Sequence, residues 1–192
     1  MNERTFSHQR AHKLEDADRR TWLPPDELIS RLSLDVGMAV ADVGAGTGYF
    51  AFPAARAVAP GIVYALDSQP EMLEKIREKL SSDPLRNLLP VYGEAEQTRL
   101  PSATADRVLI ANVWHELDRR ERVLEEMRRT LRPGGFLAIL DWRDDVERPP
   151  GPPHEHRVAM SAVVDLLVSR SWRVLSAEEF GMYNYLVLAD PV

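Results

Sequence analysis

The chain contains no cysteine, which excludes disulfides, thiolate metal sites and a cysteine nucleophile. No uninterrupted apolar run approaches the roughly 20 residues that a bilayer-spanning helix needs. The opening stretch MNERTFSHQR carries no apolar h-region, so no secretory signal is expected and a cytoplasmic protein is the working class. A basic balance is lacking as well. Lys and Arg number 24 against 30 Asp and Glu, a formal net charge of -6. Nonspecific nucleic-acid binding rests on clustered cations neutralising phosphates, so no nucleic acid is expected as a partner.

What is present is a globular balance of 44% apolar and 28% charged residues over 192 positions, enough for one domain with a full core. Residues 1–20 are charged and helix-compatible. Pro24-Pro25-Asp26 then opens a short helix carrying Leu28, Ile29 and Leu32. Buried strands are predicted over 38–43, 62–66, 88–92, 107–111 and 136–140. Between them run helices over 50–58, with Pro53 tolerable in the first turn, over 70–80, capped by Ser68 or Gln69, and from Asp118, where Glu121 completes a capping-box pattern. Met72, Leu73, Ile76 and Leu80 share one face of the second helix. Val123, Leu124, Met127 and Leu131 form the stripe of the third, which Pro133-Gly134-Gly135 ends. No internal repeat is evident.

The last third breaks this alternation. The stretch RDDVERPPGPPHEH, 143–156, is interrupted by prolines and a glycine and cannot be regular. A helix from about Arg157 to Ser169 follows, then two strand-like runs, WRVLSA and MYNYLVLA, joined by Glu178-Glu179-Phe180-Gly181. So short a link excludes the helical crossover that parallel neighbours need, so these strands are antiparallel. The expected fold is α/β: a doubly wound, mostly parallel sheet of seven strands ending in a C-terminal antiparallel hairpin.

The stretch VADVGAGTGYF, 40–50, follows the first strand and places Gly44, Gly46 and Gly48 at alternate positions. A dinucleotide fingerprint reads G-x-G-x-x-G, and Tyr49 occupies the place of its third glycine. Gly44 and Gly46 allow a ligand close to the strand end, while Gly48 lets the helix start tight against it. Asp42, aimed into such a site, favours a cation and disfavours a pyrophosphate. S-adenosylmethionine carries a sulfonium and an ammonium. Asp67, after the second strand, suits ribose hydroxyls, a logic shared with nicotinamide enzymes.

Through VADVGAGTGYF, VYALDSQPEML, GEAEQTRLP, DRVLIANVWHEL and EEMRRTLRPGGFLAILDW, in that order and at ordinary spacing, the chain resembles class I S-adenosylmethionine-dependent methyltransferases. More narrowly it is similar to their small ubiquinone/menaquinone-biosynthesis-like group. The resemblance implies a Rossmann-like methyltransferase fold in three parts: a helical lid over 1–34 with Phe6, Leu14 and Trp22, a cofactor-binding core over 35–142, and a substrate side over 143–192. It further implies that the loop of Gly44, Ala45, Gly46 and Gly48 meets the methionine portion of the cofactor and Asp67 the ribose. Ser68 and Met72 then flank the adenine, Glu94 and Ala95 read its edge, and Asn112 lines the methyl-donor side. Glu94 stands where the family usually has Asp. Arsenic methylation, found among similar proteins, uses thiols that this chain lacks.

Methyl transfer from a sulfonium is an in-line displacement with a neutral leaving group, so positioning and exclusion of water dominate. A base is needed only for an acceptor that must lose a proton. His115 is the candidate, because an imidazole titrates near working pH. Trp114, His154 and Arg157 are candidate contacts for a small-molecule acceptor. The alternatives are that Trp114 packs, that His115 caps a nearby group, and that His154, His156 and Arg157 mark an exposed loop tip. His8 and His12 have i, i+4 spacing, yet no third ligand accompanies them and no metal is expected. The arginines between 119 and 132 interleave with Glu121, Glu125 and Glu126, which reads as an exposed, ion-paired helix face. A cofactor-binding regulator without transfer activity and a nicotinamide-dependent dehydrogenase remain as other readings.

Overall fold

The computed structural model describes residues 6–16 and 18–192. A 3-10 turn over His8–Glu15 leads into α1 (Arg19–Trp22) and α2 (Pro25–Arg31). Pro25 occupies the first turn of α2, where its missing N–H costs nothing. The central alternation is β1 (Ala39–Val43), α3 (Ala51–Val58), β2 (Ile62–Asp67), α4 (Pro70–Ser82), β3 (Leu88–Tyr92) and β4 (Ala105–Ala111). It continues through α5 (Arg120–Thr130), β5 (Leu131–Trp142) and α6 (Met160–Ser169) to β6 (Trp172–Phe180) and β7 (Asn184–Pro191).

The seven strands lie in the order β3-β2-β1-β4-β5-β7-β6. Pairings from β3 to β5 are parallel, and β7 runs antiparallel to both β5 and β6. The expected sheet and terminal hairpin are therefore present, with the last strand inserted between β5 and β6. All five residues of β1 are buried, as befits a strand covered on both faces. Val40 packs with α3 and α4 residues such as Ala55, Val58 and Leu73, whereas Ala41 and Val43 belong to the opposite layer with Val123, Met127 and Val163. This period-two division puts α3 and α4 on one face and α5 and α6 on the other. The strand order reverses between β1 and β4, and the carboxyl ends there open a crevice suited to a ligand.

Several boundaries differ from expectation. α4 starts at Pro70 with Gln69, one of the two expected residues, as its cap, but lacks a side-chain cap bond and runs on to Ser82. Likewise α5 begins at Arg120, with Arg119 rather than Asp118 in the cap position. Strand β5 starts at Leu131, because Pro133-Gly134-Gly135 is absorbed as an irregularity: Ala105 pairs with Leu131 and Arg107 with Phe136. Glu178–Phe180 continue β6, leaving 181–183 as the turn. Helix α6 starts at Met160, and a 3-10 turn over His154–His156 is the regular piece within the Pro-rich segment. Of the interleaved charges on α5, Arg129 pairs with Glu126, whereas Glu121 pairs with Arg170 after α6 and the flanking Arg119 with Glu96.

Candidate active site

The loop after β1 is built from its glycines. Gly44 and Gly46 adopt φ of 76° and 55°, conformations that a side chain resists. The N–H groups of Gly44 and Ala45 both donate to the Leu66 carbonyl, at 2.9 and 2.8 Å. Asp67 completes the brace: its Oδ2 accepts from Gly46 N at 2.9 Å and its Oδ1 from Gln69 N at 2.9 Å. Gly48 serves packing, since a Cβ there would lie 2.9 Å from the Phe52 ring.

This loop borders a pocket at the carboxyl ends of β1, β2 and β4, whose empty space, open mouth included, is about 970 Å³. Of the residues expected to touch the cofactor, the pocket brings together Asp42, Gly44, Ala45, Gly46, Asp67, Ser68, Met72, Ala95 and Asn112. Asp42 is 2% exposed and its Oδ2 has no hydrogen-bond partner. Burial, reinforced by the nearby charge of Asp67 and opposed by Arg19, pushes its carboxyl up to about 7. Asn112 holds a left-handed φ of 56°, which asparagine tolerates better than most residues. It is fixed there by its N–H on the Leu140 carbonyl at 2.8 Å and by Asn184 Nδ2 donating to its Oδ1 at 2.8 Å.

The roof is the N-terminal segment. Phe6, Leu14 and Arg19 line the pocket. Gln69 holds the segment by its backbone, accepting from His8 N at 3.0 Å and donating to Phe6 O at 2.8 Å. Arg19 stacks over the Tyr49 ring at 4.0 Å and donates to the Leu14 carbonyl. Trp22, expected in the lid, instead packs beside the pocket on Trp142 and Tyr183, with ring centroids 5.5 and 5.7 Å away.

The family model for a methyltransferase domain matches residues 41–139, more than half of the chain. The crystal structure of an S-adenosylmethionine-dependent methyltransferase from Aquifex aeolicus superposes with a TM-score of 0.92 at 33% identity, over 98% of this chain and 100% of that one. The chain belongs to the methyltransferase domain family. A ubiquinone/menaquinone biosynthesis C-methyltransferase of Bordetella avium is 34% identical over 129 residues, 66% of this chain and 49% of that protein. An uncharacterised methyltransferase of Mycobacterium tuberculosis is 37% identical over 125 residues, 65% of this chain and 47% of its own. The chain thus spans about half the length of the curated relatives it matches. Its fold is that of the class I S-adenosylmethionine-dependent methyltransferases, and ubiquinone/menaquinone biosynthesis C-methyltransferases are among its relatives.

For this methyltransferase, several expected site residues lie away from the pocket. Trp114 is fully buried and packs in the core between sheet and α5. His154 is exposed at the start of the 3-10 turn in the Pro-rich segment. Arg157 staples the Pro-rich segment, donating to the carbonyls of Pro152, Arg143 and Val146 at 3.1, 3.3 and 2.5 Å. Glu94 is exposed and its neighbours Gly93 and Ala95 face the pocket in its place. His115 is 4% exposed and does not line the pocket. His8 approaches Glu71 at 3.9 Å, while the side chain of His12 lies outside the described residues. Among the described residues no group of three or more ligating side chains is placed to hold a metal, and no helix is long and apolar enough to cross a membrane.

Arg19 and Glu116 line the pocket without being among the residues expected there. Arg19 is a cation in a segment rich in them, and nothing local marks it as buried. Glu116 follows the candidate histidine directly, and its signal was its place in the 3-10 turn Trp114–Glu116 just after β4, at the edge where the crevice opens.

Proposed function

We propose that the chain transfers the methyl group of S-adenosylmethionine to a small-molecule acceptor by in-line displacement, working in the cytoplasm. The observation that carries this reading is Asp42: a buried carboxyl oxygen without a partner, lining the pocket beside left-handed glycines. Such a group suits a cationic ligand and repels a pyrophosphate, which sets it against a dinucleotide. The residues present fit the cofactor. The glycine loop would meet its methionine portion, Asp67 its ribose hydroxyls, Met72 and Ala95 its adenine, and Asn112 the side from which the methyl leaves. When bound, the cofactor supplies an electrophilic methyl on a sulfonium.

The chain's own part is to hold the reactants and exclude water. Phe6 and Leu14 cover the pocket, and Gln69 secures that cover by backbone hydrogen bonds. Positioning of this kind is worth up to about 7–11 kcal/mol where the geometry is well matched. Calorimetric titration with S-adenosylhomocysteine and, separately, NAD tests the cofactor assignment. Binding of the first alone is expected, and binding of NAD alone overturns it. Acceptors are then sought with methyl-labelled cofactor, and a chain that binds cofactor but labels no acceptor is a binding protein.

A further inference from the structure

The 3-10 turn after β4 presents two adjacent ionisable groups in different surroundings. Glu116 lines the pocket with its side chain 11% exposed, while His115 lies behind it at 5%. Asp141, at the end of β5, grips the histidine twice. Its Oδ2 accepts the His115 backbone N–H at 2.8 Å and its Oδ1 pairs with the ring Nδ1 at 2.8 Å. The Trp142 N–H also donates to Oδ1, at 2.7 Å. Two backbone N–H donors already bond this carboxylate, which can only accept from the ring, so Nδ1 donates to Oδ1 and Nε2 is the ring atom on the Glu116 side. Nε2 lies 3.8 Å from Glu116 Oε1. The chain of contacts therefore runs from Asp141 through His115 to Glu116, and only Glu116 reaches the pocket.

We propose that Glu116 takes the proton of the methyl acceptor, with His115 and Asp141 as its positioning residues. This rests on the methyl-transfer reading. The acceptor's heteroatom forms its bond to the methyl carbon as the carbon–sulfur bond breaks, with that electron pair remaining on sulfur. The acceptor's own proton passes to the Glu116 carboxylate, beside the imidazole Nε2, and leaves to solvent when the roof opens. The lining also selects the acceptor. Asp42, Asp67 and Glu116 all face the pocket, and among the described lining residues Arg19 is the only Lys or Arg. An anionic acceptor is repelled, and a neutral O–H or N–H compound is the fitting class.

The surroundings poise Glu116 for this work. Burial is the main cause that raises its carboxyl to about 7. His115 and a hydrogen bond from the Phe6 backbone N–H hold it down, and the charges of Asp141 and Asp67 push it further up. For His115, burial favours the neutral ring, but the facing Asp141 and Glu116 outweigh burial and Arg120, raising it above its ordinary value.

The test uses the full chain with S-adenosylmethionine and a panel of neutral phenols and anilines, with S-adenosylhomocysteine calorimetry alongside. Absence of S-adenosylhomocysteine binding by the wild type overturns the methyl-transfer reading itself, and with it this proposal. With binding intact, kcat is expected to rise through pH 7 to a plateau. Glu116→Gln is expected to lower it about 10²–10⁴-fold and to abolish that limb, while the Kd for S-adenosylhomocysteine changes less than twofold. His115→Gln removes the ring whose charge holds the Glu116 carboxyl down, so the limb moves to higher pH, a shift that loss of packing alone does not produce. Wild-type kcat in Glu116→Gln, an unmoved limb in His115→Gln, or methylation of anionic probes alone each overturns the proposal. So does failure of every neutral probe when S-adenosylhomocysteine binds.

Discussion

Asp67 and Gly46 are joined by a hydrogen bond of 2.9 Å, from the loop amide after β1 to the carboxylate that ends β2. The acid proposed for the ribose also fixes the loop proposed for the methionine portion. Asp67→Ala is therefore expected to weaken S-adenosylmethionine binding by about 1.5–3 kcal/mol, the range for charge-assisted hydrogen bonds. It should also speed hydrogen exchange at the Gly46 amide. Unchanged affinity in a folded variant removes Asp67 from the site.

Gly46 meets a second constraint from the roof. A Cβ there would lie 3.1 Å from Leu14 Cδ1, on a backbone at φ 55°. The left-handed conformation costs a non-glycine residue about 1–2 kcal/mol, and a branched side chain adds a clash with ligand or roof. Gly46→Val is expected to abolish detectable cofactor binding and to make the N-terminal segment more sensitive to protease. Normal calorimetric affinity would show that the loop does not cradle the cofactor.

Asp42 makes stability and binding respond to pH in opposite senses. It holds its proton up to about 7 in the folded chain, against 3.8 for the ordinary carboxyl. Between those values the native state binds more protons than the unfolded one, so this residue makes stability fall as pH rises through that window. A cationic ligand favours the ionised carboxylate, so affinity for S-adenosylmethionine should rise from pH 6 to 8, with proton release below 7. Calorimetry in buffers of different ionisation enthalpy reads that release. Asp42→Asn should flatten most of the slope; a slope equal to the wild type's would place the titrating group elsewhere.

Arg157 is expected to act on the loop and not on the cofactor. Its guanidinium bonds to the carbonyls of Pro152, Arg143 and Val146, a half-buried cation tying the Pro-rich segment to the end of β5. Arg157→Ala should cost about 1–3 kcal/mol of stability and open 143–156 to proteolysis, with S-adenosylhomocysteine affinity unchanged. A large loss of cofactor affinity with no change in melting temperature would return Arg157 to the binding site.

The parts legible in the sequence are those written in local code. The buried run Ala39–Val43, the glycines after it and the apolar stripes of α4 and α5 predict the sheet and its loop, because period and turn chemistry are properties of neighbours. The hairpin followed from a link too short for a crossover. What was not legible depends on partners distant in the chain. Trp114 and His115 sit at the productive edge in sequence, but the side chains of this turn divide between core and pocket. Asp141, 26 residues on, turns His115 inward and leaves Glu116 at the surface of the cavity. Arg157 resembles a ligand-binding cation until the carbonyls of its own loop are seen around it. Pro133-Gly134-Gly135 reads as a break, yet pairing with β4 draws the segment into a strand.

The place of β7 between β5 and β6 sets an order on synthesis. β6 leaves the ribosome first, but the position beside β5 belongs to the strand that follows it. Until Asn184–Pro191 have emerged, the ladder groups of Leu137–Trp142 on that side have no native partner. The nascent chain therefore carries an open apolar edge while the roughly fifty residues between Trp142 and Pro191 are made, the kind of edge that recruits strands from other chains. Closure of that edge, and with it the seat of Asn112 against Asn184, waits for a strand made after its own hairpin partner.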